Sequence, residues 1–120
     1  MEIRLIETPI TIDVVTKLAQ EQFGDIIKAA VDIDKGVMAL GGDLHADEEE
    51  LLLDKGSEQK NLWGINLYPA KFGTPDFIEF DSMINLRPSQ GNTSRSVEDE
   101  DIQKQIVEVV EKLVKGNDAT

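Results

Sequence analysis

Between Gly41 and Pro69 the chain reads GGDLHADEEELLLDKGSEQKNLWGINLYP, and its only histidine, only tryptophan and only tyrosine all fall there. If residues 41–47 are extended, Asp43, His45 and Asp47 share a face, because alternate side chains of an extended chain point the same way. Two carboxylates and an imidazole, with Glu50 close behind, form a candidate divalent-metal set: Asp43, His45, Asp47 and Glu50. The run Glu48-Glu49-Glu50 makes the local field strongly negative, which favours a cation. With one histidine in 120 residues, ligand sets that need several imidazoles are excluded within one subunit. His45 is also the candidate general base, its ordinary pKa lying near neutrality. The plainer reading is that carboxylates gather at a helix start because its free N–H groups and dipole favour negative charge.

A second concentration of polar chemistry lies at residues 85–95, where Asn85, Arg87, Asn92 and Arg95 fall in one polar loop and two of the three arginines are found. Guanidinium forks and side-chain amides match carboxylate and phosphate geometry, so these four are the candidate ligand-binding residues for a small anionic ligand. The plainer reading is an ordered loop whose arginines neutralise the neighbouring acidic helix starts.

The periodicity of the sequence supplies the scaffold. Residues 2–7 alternate as a strand, and Thr11 caps a helix with Val14, Val15, Leu18, Ala19 and Phe23 at helical spacing and Gly24 as its stop. Residues 26–44 switch to period two around an Asp34-Lys35-Gly36 turn, a hairpin. A short helix is expected over 46–55, capped by Asp47 with Glu50 as its capping-box partner and Gly56 as its end. Residues 61–68 and 77–86 read as paired strands joined through Pro69 and Pro75. Ser96 with Asp99 opens a long last helix, whose stripe of Ile102, Ile106, Val109, Val110, Leu113 and Val114 runs to Gly116. The expectation is a single α+β domain over residues 1–116, with a mostly antiparallel sheet of about five strands, the helices packed on one face, and a disordered tail at 117–120.

Composition excludes several function classes. The absence of cysteine removes disulfides, thiolate catalysis and cysteine zinc sites. Twenty-four acids against twelve bases leave a formal charge of −12, which repels phosphate backbones and anionic lipid, so neither nucleic acid nor membrane partners are expected. No apolar run approaches the roughly 20 residues that span a bilayer, and the N-terminal MEIRLIETPI lacks a signal peptide's basic start; the reading is a soluble cytoplasmic protein. Trp63, Ile65 and Leu67 alternate with Leu62, Asn66 and Tyr68, giving that strand apolar character on both faces, from which a homodimer is expected.

The segments GDLHAD, LWGINLYP and INLRPSQGN, with the GS at residues 56–57, resemble a family of small prokaryotic proteins carried as a domain of unknown function, over nearly the whole chain. The resemblance implies no activity and carries over no catalytic residues. Two readings follow from the residues themselves. The first is a non-enzymatic module without a cofactor, binding a small anionic ligand or a protein partner through the 85–95 loop. The second is a divalent-metal-dependent hydrolase with its site at residues 43–50, which requires the two polar segments to meet in space.

Overall fold

Alternation of apolar side chains in IKAAVD and VMAL, with a turn between them, produces the central hairpin of a computed structural model that describes residues 2–117. Strand β3 (Ile27–Asp32) pairs antiparallel with β4 (Val37–Leu40), and Asp32 closes the turn by accepting the Asp34 and Lys35 amides at 2.9 Å each. Strands β1 (Arg4–Ile6), β5 (Leu62–Leu67) and β6 (Ile78–Glu79) complete an antiparallel sheet in the order β1-β4-β3-β5-β6. The expected α+β architecture with five antiparallel strands is what the chain adopts.

Its layers differ from expectation. Helices α1 (Ile12–Gln22) and α3 (Glu100–Leu113) cover one face, where Val15, Leu18, Ile106, Val110 and Leu113 bury against Ile27, Ala29, Val31, Trp63, Ile65 and Leu67. Helix α2 (His45–Asp54) lies on the other face, with Leu52 seated over Ala30, Ala39 and Leu62. Two alanines on adjacent strands leave the shallow floor that lets this helix approach. Consequently all six residues of β5 are buried within the chain, and the two-sided apolar strand that suggested a homodimer is covered by the protein's own layers.

The expected strand 77–86 keeps only Ile78–Glu79 in the ladder. Continuing the register of Asn66 opposite Glu79 would set Gly64 opposite Asp81. The chain instead turns at Ser82, whose hydroxyl accepts the Ile84 amide, and runs into a 3-10 turn at Met83–Asn85. Ser82 packs so close to Gly64 that a Cβ there would sit 2.5 Å from Ser82 Cβ and Oγ, a contact only glycine permits.

The helix starts also depart from the sequence reading. Thr11 does cap α1, accepting the Val14 amide at 3.4 Å. For α2 the N-cap is Leu44, with no side-chain cap bond; neither Asp47 nor Glu50 caps the helix, and Glu48 turns inward to accept the Gly42 amide at 2.9 Å. A tight Gly41-Gly42 approach with the Glu48 carboxyl group beneath it replaces the expected capping box. For α3 the cap is Asp99 rather than Ser96, accepting the Asp101 and Ile102 amides. That helix stops at Leu113 because Val114–Lys115 extends into strand β7, paired in parallel with β2 (Ile10–Thr11). Of the expected tail, residues 118–120 lie outside the described residues, and Asn117 Oδ1 accepts the Asp13 amide at 2.8 Å. No helix among the described residues is long and apolar enough to cross a membrane.

Candidate functional site

Lys28 on β3, Asn66 on β5 and Glu79 on β6 are consecutive cross-strand neighbours, Lys28 opposite Asn66 and Asn66 opposite Glu79. Directly paired residues share a face of the sheet, so the three form a polar row across it. The start of α2 (Leu44, His45, Ala46) and the segment Asp81–Ile84 come together over this row. Between them is a cleft of about 520 Å³ whose lining also includes Ile26 and Arg95.

His45 Nε2 lies 2.8 Å from the Ile65 carbonyl oxygen. A carbonyl only accepts, so Nε2 carries the proton and Nδ1 of the neutral ring is left as an acceptor. Burial is the main cause that lowers the His45 pKa below its ordinary value, helped by the charge of Lys28; the Ile65 bond, the Asn66 side chain and Asp81 oppose the shift. The imidazole is therefore neutral at pH 7. Because its folded pKa is depressed, the stability it contributes is present above the ordinary value and lost as pH falls through the folded one. We expect the single imidazole resonance in a proton NMR titration to show a midpoint below 6.5, and a midpoint above that value would refute this placement of His45.

Asn66 is 5% exposed, and its Nδ2 donates to Glu79 Oε1 at 2.8 Å and to the Asp81 carbonyl at 3.2 Å. Both partners are acceptors, so the amide cannot be turned over; its Oδ1 favours a protonated His45 ring, and with the ring neutral it is left buried without a donor. Tyr68 donates its hydroxyl to the same Glu79 Oε1 at 3.2 Å. Arg95 Nε pairs with Asp81 Oδ1 at 2.9 Å at the cleft's edge.

The structure thus brings together one residue from each polar segment, His45 and Arg95, and leaves most of the others elsewhere. Asn85, with no exposed surface, accepts the Gly64 amide at 2.8 Å and donates to the Gly64 carbonyl at 2.9 Å and to the Arg95 carbonyl at 3.0 Å. Arg87 donates to the carbonyls of Ile84, Gln59 and Leu62 and stacks over Trp63, 4.4 Å from the ring centre. Asn92 Nδ2 reaches the carbonyls of Asn85, Ser94 and Ser96, and its Oδ1 accepts the Glu98 amide. These three side chains spend their hydrogen bonds inside the fold. Of the expected metal set, Asp43 accepts from Gln22 Nε2 at 2.7 Å, His45 is held by Ile65, and Asp47 and Glu50 are exposed on α2. Among the described residues no group of three His, Asp or Glu side chains is arranged to hold a metal ion, so Asp43, His45, Asp47 and Glu50 are not assembled as a ligand sphere.

Lys28, Asn66, Glu79 and Asp81 were missed by motif and by cluster. The signal available for two of them was a polar residue interrupting an otherwise apolar strand, Lys28 in IKAAV and Asn66 in LWGINL. A second groove, of about 590 Å³, lies between residues 72–80 and the end of α3; Phe72, Phe77, Phe80, Val110 and Val114 line it, and it holds none of the expected site residues.

A family model described as "Protein of unknown function (DUF5674)" matches residues 4–113. The chain belongs to DUF5674. The DUF5674 match takes in every residue of the cleft, from Ile26 to Arg95. No curated protein and no solved structure matches the chain.

Proposed function

We propose that this DUF5674 protein is a non-enzymatic binding module that takes a small polar ligand in the cleft between the start of α2 and strands β3, β5 and β6. The observation that carries the reading is Asn66 Oδ1, a buried acceptor without a donor in the floor of a concave site. An unmatched buried polar atom costs about 1–3 kcal/mol, and a ligand that satisfies it recovers that cost. Around it stand His45, Glu79, Asp81 and Arg95, convergent polar groups of the kind that orient a ligand. The 85–95 loop enters this function through Arg95, while Asn85, Arg87 and Asn92 brace the loop behind it.

A screen of small polar compounds by melting temperature, at fixed ionic strength, tests the proposal. A compound present at a hundred times its dissociation constant adds about 2.7 kcal/mol, a rise of roughly 10 °C for a domain of this size. The hits should move the backbone amide resonances of residues 44–46, 66 and 79–83. Hits whose shifts map only to the groove beside Phe72 and α3, or a large and varied screen without hits, would remove the reading.

A further inference from the structure

Taking the cleft as the ligand site, we infer that its ligand carries a primary ammonium group on a short aliphatic stem. The polar atoms left over in the cleft are acceptors. Asn66 Oδ1 is buried and has no donor, and its orientation is fixed by the two acceptors on its Nδ2. His45 turns its proton toward Ile65, leaving Nδ1 with a lone pair. Glu79 receives only the neutral donors Asn66 Nδ2 and Tyr68 Oη, and among the described residues it enters no ion pair.

The basic groups of the same cleft are already engaged. Arg95 is matched to Asp81 at 2.9 Å, and Lys28 Nζ lies over the Phe23 ring, 5.3 Å from its centre. An anion would therefore have to compete for Arg95 against Asp81, whereas a cation with N–H donors meets a free carboxylate and a free amide oxygen. Its stem has an apolar rim to lie on. Leu44 and Met83, 59% and 63% exposed, flank the opening with Ile84 beside them. The net charge of −12 adds long-range attraction for a small cation and repulsion for an anion.

Titration of the amide spectrum with n-butylammonium, at about pH 8 where the amine is charged and at constant ionic strength, tests the inference. Butanol, butyrate and L-leucine run in parallel. Butylammonium should move the amides of residues 44–46, 65–67 and 79–83, and butanol and butyrate should leave them in place. Comparable or tighter binding of leucine identifies the ammonium as that of an α-amino acid; binding of butylammonium alone identifies a free amine. Asn66→Ala, checked by its melting curve, should weaken binding about 10- to 100-fold, the loss of one hydrogen bond to a charged donor. If that variant does not fold, His45→Ala, which removes the other neutral acceptor, should weaken it as well. Cleft shifts with butyrate or butanol and none with butylammonium would overturn the ligand class while leaving the cleft as a binding site. No shift there with any probe, or unchanged affinity in a folded Asn66→Ala, would overturn the inference.

Discussion

Glu48→Gln should make the protein more stable at pH 7 by about 3–4 kcal/mol and should make no difference near pH 4. Glu48 has no exposed surface; one carboxyl oxygen accepts the Gly42 amide at 2.9 Å and the other has no partner. Burial pushes its pKa up from 4.5 to about 9, against the opposing pull of the Gly42 amide and the Lys28 charge. The sign follows from where the proton resides. An unfolded chain releases it near 4.5 and the folded chain keeps it to about 9, so each pH unit between those values lowers stability by about 1.4 kcal/mol. The contribution is fully present below the unfolded value and lost as pH rises through the folded one. Glutamine has the same shape without a proton to release, so the gap between the two stability curves should widen as pH rises above 4.5, whatever the other titrating groups add to both. Urea denaturation of both proteins between pH 4 and 8 measures this, and parallel curves would show that Glu48 is not held protonated.

The second large effect belongs to Asn85→Ala, which we expect to cost about 3–4 kcal/mol and lower the melting temperature by roughly 15 °C. The edge of β5 that faces β6 is completed by three different means. Asn66 pairs with Glu79 of β6, the Gly64 peptide is bonded on both its N–H and its C=O by the Asn85 amide, and the Leu62 carbonyl is taken by Arg87. One side-chain amide thus does at Gly64 what a neighbouring strand would do. Removing it strands the Gly64 amide and carbonyl in the interior and frees the Arg95 carbonyl. Chemical denaturation gives the cost directly. A loss below about 1 kcal/mol would mean that water or a rearranged loop replaces the amide with ease.

The same edge explains which parts of the fold were legible. Strands β3, β4 and β5 and the faces of α1 and α3 follow from periodicity, because burial on a sheet or helix imposes a period on apolar residues. FIEFDSMINL carries that period too, yet only Ile78–Glu79 pairs. What decides the remainder is the reach of Asn85 and Arg87 back to β5, twenty or more residues away, and no local pattern encodes a tertiary side-chain bond. Asn85, Arg87 and Asn92 were singled out as ligand-binding candidates, amide and guanidinium forks expected to meet the oxygens of an anion. The oxygens they find are backbone carbonyls. His45 and Arg95 stood among the candidates by residue type, though for a metal site and an anion site, whereas Lys28, Asn66 and Glu79 acquire significance only from register, since only pairing across three strands puts them in a row. The burial of Glu48 escaped notice for a related reason. Three successive glutamates look alike until the packing of α2 decides which one faces inward.

The parallel pairing of β2 with β7 has a consequence for the order of events as the chain emerges from a ribosome. The contact between Asp13 and Asn117 spans 104 residues, and α3, which closes the larger core, is the last helix in the sequence. The central hairpin can form from local contacts and receive α1 while synthesis continues, but the part of the sheet that α3 covers has no helix over it until Ile106 to Leu113 have left the exit tunnel. For much of its synthesis the nascent protein therefore exposes the part of this face that α3 will cover, a window in which a chaperone or a neighbouring nascent chain meets the apolar side chains of β3 and β4 before α3 does.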